Sequence, residues 1–460
     1  MTSFVSVLSS PEKVPTRSIV LLAVAGFASQ AMVRVTDSLL PQIAIDFGTT
    51  VGEASIVVAA YAVGHGAIQL IIGPFGDRFG KYRTVATMCA LATILVALCG
   101  TVQSLSALAV ARFASGVAAG WIIPLSMAYV GDVTPYARRQ PILGRYLTGQ
   151  ISGQLFGQAA GGVLGDLFGW RDVFFVLAAM FALATAGLVF ELMTNPRTRA
   201  ASHAEETRGG FVADYAAVLS NPWARFVILA VFIEAAIGWG AFAYVGADLH
   251  LRFSLTFGAI GLIVGTFGLG GLLYAASVSL LVNRFGQAGL AQFGGVLLGL
   301  AYITLAVGGS AALATVAVTA IGLGFYALHN TLQTNATQMT PQARGTAVAI
   351  FSSAIYLGQT LGVTAGAIVF DRFTAVPLFA GTAVALPALA HVDIASQSTI
   401  MAKPQRRVGL AVIAGRRCSN GEIKWRRSGP SARQRRRLRV VSAKSGRVRH
   451  PRNAGRSRRA

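Results

Sequence analysis

Long apolar runs constrain this chain more than any other feature. They follow one another from Ile19 to about Ala390, and most reach the roughly 18 residues that a helix needs to cross a bilayer. The mean hydropathy is +0.60, and only 12% of the 460 residues are charged. Because the bilayer core offers no water to free backbone groups, such runs predict membrane-spanning helices. The first run has no small-residue cleavage site behind it, so we interpret it as a retained helix rather than a signal peptide.

We count twelve apolar segments, which predict an all-α polytopic membrane protein. Their approximate bounds are residues 18–40, 54–73, 84–102, 106–128, 141–164, 173–194, 224–246, 255–281, 288–308, 311–333, 344–369 and 374–390. The twelfth is the weakest, since it is short and contains Pro377 and Pro387. Cys89 and Cys99 share one segment and Cys418 lies near the C-terminus, a distribution that predicts neither a disulfide framework nor a metal site.

The chain carries an internal repeat with an offset of about 206 positions. Asp-Arg-Phe-Gly at 77–80 recurs as Asn-Arg-Phe-Gly at 283–286, and Thr-Pro-x-Ala-Arg at 134–138 recurs at 340–344. A third marker, a glycine-rich stretch that ends in an aspartate, recurs at an offset of 205. The repeat maps six segments onto six. Because an even number of spans preserves direction, the two halves are predicted to be parallel rather than inverted.

Basic residues are concentrated in alternate loops, which places both termini in the cytoplasm by the positive-inside rule. The longest loop lies between the two halves and is the natural linker. The predicted organisation is a six-helix bundle at 1–194, a cytoplasmic linker at 195–222, a second six-helix bundle at 223–390 and a basic tail at 391–460.

The net charge of +22 belongs to the tail. Residues 403–460 hold 20 of the 39 Lys and Arg residues and one of the 17 acids, which leaves a net charge of +3 for the remainder. The composition predicts a disordered tail, and a polybasic patch attracted to anionic lipid is an alternative. Nucleic acid is not an expected partner, because aromatic residues are not interleaved with the basic ones. A further alternative is that residues 391–460 are read out of frame.

The densest motif lies between the second and third segments. Its marked positions are Gly73, Asp77, Arg78, Gly80, Lys81 and Arg83. Glycines let two helix ends approach closely, and an aspartate can accept hydrogen bonds at a helix N-terminus. A generic turn on the positively charged side of a membrane is the simpler interpretation.

This motif resembles the signature loop of the major facilitator superfamily, whose pattern is G-x-x-x-D-R-x-G-[RK]-[RK]. Tyr82 takes the last basic position here, and the second copy has decayed, with Ser279, Asn283 and Gln287 at its marked positions. The resemblance covers residues 18–390. It implies a monomer of two six-helix bundles that works by alternating access, with the loop as a conformational latch.

Glycines recur at a spacing of four on the fifth and eleventh segments. They are Gly149, Gly153, Gly157, Gly161 and Gly165, and then Gly358, Gly362 and Gly366. This spacing puts them on one helix face, where backbones can touch. The seam is interpreted either as tight packing alone or as a flexible seam that moves during transport. The stretch 157–162 resembles the G-P-x-x-G-G motif of the family's antiporters, with Gln158 where proline is typical.

Charged residues inside the segments are candidates for function, because charge is costly in a membrane. Gln30, Arg34 and Asp37 share a face of the first segment, and Arg112 on the fourth is expected at a similar depth. We predict a buried ion-pair cluster of Arg34, Asp37 and Arg112. It is either a static structural pair or a carboxylate that takes up and releases a proton. Arg112 also resembles the arginine of the family's R-x-x-x-G motif, which is linked there to proton coupling.

Glu234 lies near the middle of the seventh segment without an evident partner, and it is a candidate for binding a proton or a cationic substrate. Other polar side chains in the segments are more often structural than ligand-binding. They are Tyr61, His65 and Gln69 on the second segment, and His329, Asn330 and Gln333 on the tenth. Four aromatic residues either line a cavity or face lipid, and they are Trp121, Trp239, Phe242 and Tyr244.

These features predict a secondary transporter of a bacterial inner membrane rather than an enzyme. The chain has no phosphate-binding Gly-Lys-Ser/Thr loop, so protons are the expected energy source and no cofactor is expected. The first half resembles drug:proton antiporters, which implies export of small organic or drug-like molecules. The alternatives are an importer of a sugar or organic acid and a transport-dead membrane sensor. The expected partners are a small-molecule substrate and the lipid bilayer.

Overall fold

The computed structural model describes residues 14–199, 211–340 and 343–393. Within these ranges the chain forms helices joined by short turns, without a β-strand. The predicted all-α fold is therefore confirmed. The basic tail beyond Asp393 lies outside the described residues, as does part of the predicted linker, at 200–210.

The first half of the chain contains ten helices among its described residues. They are α1 (Thr16–Arg34), α2 (Thr36–Phe47), α3 (Val51–Ala54), α4 (Ile56–Gln69), α5 (Ile72–Phe79), α6 (Lys81–Thr101), α7 (Leu105–Ala119), α8 (Ile122–Val133), α9 (Tyr136–Phe168) and α10 (Trp170–Thr194). Several spans consist of two successive helices, such as α1 with α2 and α7 with α8. Pro41 lies inside α2 and Pro124 inside α8, and each removes one backbone donor from its helix.

The second half continues after a 3₁₀ turn at Pro196–Arg199. Its described helices are α11 (Phe211–Ser220), α12 (Pro222–Phe242), α13 (Val245–Phe253), α14 (Phe257–Val307), α15 (Ala311–Ala336), α16 (Arg344–Phe373) and α17 (Val376–Asp393). The α17 helix passes through both prolines of the weak twelfth segment and extends three residues beyond its predicted end. Residues 391–393 therefore belong to a helix rather than to the predicted tail.

The number of spans depends on α9 and α14. Ten helical stretches in the described ranges are long and apolar enough to cross a membrane, and this number counts α14 once and omits α9. At a rise of about 1.5 Å per residue, the 51 residues of α14 would cross a bilayer twice. The backbone turns at Gly286, where φ is 65° and ψ is 179°. With two spans from α14 and the 33-residue α9, the count is the predicted twelve.

The predicted loop of the signature motif is mostly helical. α5 extends from Ile72 to Phe79, and the chain turns only at Gly80, whose φ is 85°. Gly80 and Gly286 are equivalent in the repeat. Both need the positive φ that glycine adopts without a steric penalty, which explains why this glycine is retained in the decayed second copy.

Helices pack within each half and across the halves. In the first half α1 packs on α9 and α10, and α4 on α7; in the second half α12 packs on α16, and α14 on α15. Across the halves α9 meets α14, and α4 meets α16. The polar residues singled out by the sequence lie along these junctions.

Candidate substrate and proton site

Asp37 forms the centre of a buried polar site. Its side chain is 1% exposed, and its Oδ2 atom accepts a hydrogen bond from Gln158 at 3.3 Å and lies 3.8 Å from the Arg34 guanidinium. The Oδ1 atom has no hydrogen-bond partner among the described residues. Pro41 leaves the Asp37 carbonyl without its helical donor, and Gly246 of the second half approaches that carbonyl.

Arg34 connects the two halves. Its guanidinium lies over the ring of Trp239, 3.4 Å from the centroid, and donates a hydrogen bond of 3.4 Å to Gln359 Oε1. Trp239 belongs to α12 and Gln359 to α16, so a cation of the first half rests on two side chains of the second. Gln30, one turn earlier on α1, is half-buried.

Arg112 lies outside the predicted ion-pair cluster. It is fully buried above the ring of Tyr61, with 4.2 Å from its guanidinium carbon to the centroid. Its guanidinium donates to the carbonyl oxygens of Val57 at 3.2 Å and Met32 at 3.2 Å, and to Thr36 Oγ1 at 3.4 Å. The charge is thus satisfied by neutral acceptors of neighbouring helices, and of these two arginines it is Arg34 that pairs with Asp37.

The polar stripe on α4 contacts residues of both halves. The ring of His65 packs against Tyr356 of the second half at 4.2 Å between centroids. Gln69 donates a hydrogen bond of 3.3 Å to the carbonyl of Gly120. That carbonyl lacks its helical donor because Pro124 lies four residues further on, so Gln69 satisfies a group that proline frees.

Glu234 has a partner that the sequence did not reveal. Its side chain is 2% exposed, and its Oε2 atom lies 2.9 Å from Nδ1 of His329 on α15. The His329 ring stacks on Phe325 at 4.9 Å and 13°. The expectation that Glu234 lacks a partner is therefore wrong, although its Oε1 atom has no hydrogen-bond partner within the described ranges.

An aromatic cluster joins the two acidic centres. Trp239 contacts Phe267 at 5.2 Å and Phe325 at 4.8 Å, and Phe325 in turn stacks on His329. Trp239 and Phe242 belong to this cluster, whereas Tyr244 packs on Phe370 elsewhere and Trp121 is buried in α7–α8. Arg34 contacts one end of the cluster and Glu234 lies at the other.

The predicted latch connects elements of the first half. Lys81 forms an ion pair of 2.6 Å with Asp132 at the end of α8. Arg78 and Arg83 are exposed. The side chain of Asp77 lies outside the described set, so its predicted capping role stays a prediction.

The two glycine seams lie inside the halves. A Cβ atom on Gly157 would overlap the carbonyl of Ala31 on α1, and a Cβ atom on Gly362 would overlap that of Ala236 on α12. These seams fix α9 to α1 and α16 to α12. The contact between halves uses another face of α9, where Gly162 meets Gly261 of α14 backbone to backbone.

A polar contact closes one end of the junction between α3 and α16. Asp371 accepts hydrogen bonds from Thr50 Oγ1 at 2.7 Å and from the Gly52 backbone at 2.9 Å. At the equivalent place in the repeat, Asp166 of α9 lies against Gly258 at the start of α14. Each half therefore sets an aspartate against the first turn of a helix of the other half.

The sequence identified the buried charged residues but not the side chains that contact them. Gln158 was noted as a departure from a motif, but not as the donor to Asp37. Gln359 follows the seam glycine Gly358, and the sequence does not indicate that it accepts a hydrogen bond from Arg34. His329 and Glu234 were both singled out, without a connection between them. Contacts between distant helices leave no local pattern, and the costly buried charges were the available signal.

Comparisons with known proteins agree with this architecture. A sequence model of the Major Facilitator Superfamily matches residues 22–390. The uncharacterised MFS-type transporter YceJ of Bacillus subtilis is 26% identical over 332 residues, covering 71% of this chain and 82% of the relative. The multidrug resistance protein fnx1 of Schizosaccharomyces pombe is 26% identical over 245 residues, or 50% of this chain and 46% of the relative.

Among solved structures, a point mutant of the nucleoside transporter NupG has the same fold, with a TM-score of 0.67 at 14% identity. The match covers 82% of this chain and 99% of that structure. The family match extends over both halves of the repeat, from α1 into α17. The chain is therefore an integral membrane protein that belongs to the Major Facilitator Superfamily of transporters.

Proposed function

We propose that this transporter couples proton movement to the export of small organic or drug-like molecules by alternating access. The observation that carries the proposal is the position of Arg34. This buried cation of the first half rests on Trp239 and Gln359 of the second half and lies next to Asp37. A change of charge at Asp37 therefore acts on a contact between the halves.

The proton step follows from the geometry of the carboxylate. Ionised Asp37 attracts Arg34 strongly, because the two charges lie 3.8 Å apart in a poorly polarisable interior. A proton taken up on the carboxylate removes that attraction, and the unpartnered Oδ1 atom offers a place for it. Among the described residues, Trp239 and Gln359 then hold Arg34. Protonation thus changes the balance between the two arrangements of the halves that alternating access requires.

The aromatic cluster is an argument for a lipophilic substrate. The rings of Trp239, Phe267 and Phe325 form a continuous, largely buried aromatic cluster between Asp37 and Glu234. Flat aromatic molecules can stack on such rings, and carboxylates beside them favour a positive charge. The name of the relative fnx1 describes a multidrug resistance protein, and it supports the same substrate class.

The loose hydrogen bonding of Arg34 favours a second candidate, an importer of an organic acid or sugar. Its nearest polar contacts are 3.4 and 3.8 Å long, so its donors remain available to an anionic or hydroxylated substrate.

The third candidate is a membrane sensor without transport. Deletion of 403–460 separates it: undiminished transport shows that the tail is dispensable, whereas a lost response without flux favours the sensor.

The remaining assignments are part of the same proposal. The protein acts as a monomer in a bacterial inner membrane with both termini in the cytoplasm. The segment from Gly73 to Arg83 acts as a latch, and the ion pair of Lys81 with Asp132 ties it to the end of α8.

Ethidium flux in proteoliposomes tests the proposal. A pH gradient across vesicles that contain the full chain is expected to drive ethidium movement, and collapse of the gradient is expected to stop it. Asp37→Asn is expected to abolish the gradient-driven flux and to retain exchange of ethidium at equal pH. Asp46→Asn is the matched control, because it makes the same change on α2 at a partly exposed residue.

Two results would count against the proposal. Gradient-driven flux that persists in Asp37→Asn refutes the role of this carboxylate. Flux of an organic acid or sugar instead of ethidium, in protein verified as folded, replaces the exporter with the importer.

A further inference from the structure

A groove between α1 and α9 lies apart from the polar centre around Asp37. It has a volume of about 670 Å³ and opens to the outside of the protein. Its walls come from the first half of each helix, and Val20 and Val24 are 54% and 44% exposed beside it. Nothing in the proposed transport mechanism uses this groove.

The groove arises because the glycine seam ends. A Cβ atom on Gly153 or Gly157 would overlap the backbone of α1, but one on Gly149 would lie 3.8 Å from it, at an ordinary contact distance. The next two positions at the same spacing of four are Arg145 and Pro141. These side chains are too large for a backbone contact, so α1 and α9 separate towards their N-terminal ends.

The lining combines an apolar wall with two cations. The apolar surface comes mainly from valine, isoleucine and phenylalanine side chains, and the charged residues are Arg138 and Arg145, without an aspartate or glutamate. Both arginines are exposed, and neither guanidinium forms an ion pair or a side-chain hydrogen bond with another residue in the described ranges. The two arginines lie two helical turns apart on one face of α9, about 10 Å along its axis.

We propose that this groove binds one anionic phospholipid from the adjacent membrane leaflet. An acyl chain lies between α1 and α9, and the phosphate contacts Arg138 and Arg145. Guanidinium groups suit phosphate because they are always charged and offer several donors in one plane. An acyl chain in turn covers the exposed side chains of Val20 and Val24. The basic tail is a poor occupant because it carries the same charge as the two arginines.

The repeat supplies a matched control for the lipid site. Arg344 of α16 is exposed and equivalent to Arg138, but the position equivalent to Arg145 is Phe351, which is buried. The second half therefore lacks the pair of cations. Replacement of Arg344 removes one positive charge, as does replacement of Arg138 or of Arg145, but it leaves the groove intact.

Native mass spectrometry of the full chain in detergent tests the proposal. The probes are dioctanoyl phosphatidylglycerol and dioctanoyl phosphatidylcholine, added in equal amounts. We expect one phosphatidylglycerol molecule to bind at least about tenfold more tightly than phosphatidylcholine. Arg138→Gln with Arg145→Gln is expected to remove this preference, whereas Arg344→Gln is expected to retain it. Val24→Trp, which fills the groove, is expected to weaken binding although both arginines remain.

Three outcomes would overturn the lipid site. The first is an unchanged preference in the double arginine variant, or an equal loss in Arg344→Gln. The second is full binding in Val24→Trp together with competition by inorganic phosphate, which indicates a site for the anion alone. The third is a large gain in lipid binding after deletion of residues 2–12, which indicates that the N-terminal segment occupies the groove. Folding of each variant is checked by its thermal unfolding, and the double arginine variant tests the site without any change in the apolar wall.

Discussion

Turns with a positive φ occur at equivalent positions in the two halves of the described chain, but the residues at these positions differ. The first half uses glycine at all three, whereas the second half uses glycine once. The pairs are Gly48 with Ser254, at φ values of 63° and 50°, Gly80 with Gly286, at 85° and 65°, and Gly169 with Thr374, at 91° and 69°. The backbone therefore repeats more faithfully than the sequence, and the second half keeps turns that its side chains no longer favour.

The polar chemistry shows the opposite behaviour. The first half places its carboxylate at Asp37, and the equivalent residue of the second half is Ala243. The second half places its carboxylate at Glu234, and the equivalent residue of the first half is Ala28. The two halves thus place these two buried acids at positions that the repeat does not relate. The shared features are structural, and the features that differ are those to which we assign function.

The largest predicted effect tests whether the two glycine seams are equivalent. Gly157→Leu and Gly362→Leu are each expected to destabilise the protein by about 3 kcal/mol, because a side chain cannot fit against the backbone of the neighbouring helix. Thermal unfolding in detergent measures the effect. The matched controls are Gly144→Leu on α9 and Gly345→Leu on α16, where a Cβ atom meets nothing within 4 Å. A loss in only one half would show that the seams differ.

The next prediction tests the contact of Glu234 with His329, for which the first half has no equivalent residues. In a double-mutant cycle of Glu234→Gln and His329→Gln, the two residues are expected to couple by about 1–3 kcal/mol, because they are in direct contact at 2.9 Å. A cycle of Glu234→Gln with His250→Gln is the control and is expected to be additive, since His250 bonds to the Leu255 carbonyl instead. Stability is measured by thermal unfolding. Additivity in the first cycle would contradict the pair.

The sequence predicted the features that follow from a repeated pattern, namely the spans, the parallel halves and the glycine faces. Twelve spans follow from apolar length, because a bilayer tolerates little else. The repeat indicated the parallel halves, and the spacing of the glycines indicated which helix face makes a seam. The sequence did not indicate that the seams lie inside the halves, because the spacing identifies a face but not the helix that it meets.

The candidate site was predictable only in part. Buried charge identified Arg34, Asp37, Arg112 and Glu234, because such residues are rare in membrane helices. Their partners were not predictable. Arg112 is satisfied by backbone carbonyls, which every residue possesses, so no sequence signal distinguishes them. The contact of Glu234 with His329 joins residues 95 positions apart, on helices that are not successive in the chain.

A smaller effect is expected where the second half has lost a glycine. Thr374→Gly is expected to stabilise the protein by about 1 kcal/mol, because a β-branched residue at a φ of 69° is sterically strained. The reverse change in the first half, Gly169→Thr, is expected to destabilise it by a similar amount. Thermal unfolding of both variants is the measurement. If Thr374→Gly lowers the stability, the turn depends on threonine for a reason other than backbone shape.

The smallest predicted effect concerns the two aspartates at the junctions between halves. Asp371 accepts hydrogen bonds from Thr50 and Gly52, whereas Asp166 lies against Gly258. A carboxylate at the first turn of a helix stabilises it by about 0.3–1 kcal/mol. Asp371→Ala is therefore expected to open its end of the junction more often than Asp166→Ala, by about two- to fivefold.

The rate at which a polar thiol reagent labels a cysteine at Ser55 measures this opening. Ser55 is 1% exposed next to the contact and is reached only when the halves separate there. The three natural cysteines are replaced by serine in all variants, so that a single thiol reports. Faster labelling in Asp371→Ala than in Asp166→Ala supports the hydrogen bonds of Asp371 as the contacts that hold this junction closed. Equal rates would mean that Asp371 contributes no more to closure at Ser55 than Asp166 does, although only Asp371 contacts the helix next to Ser55.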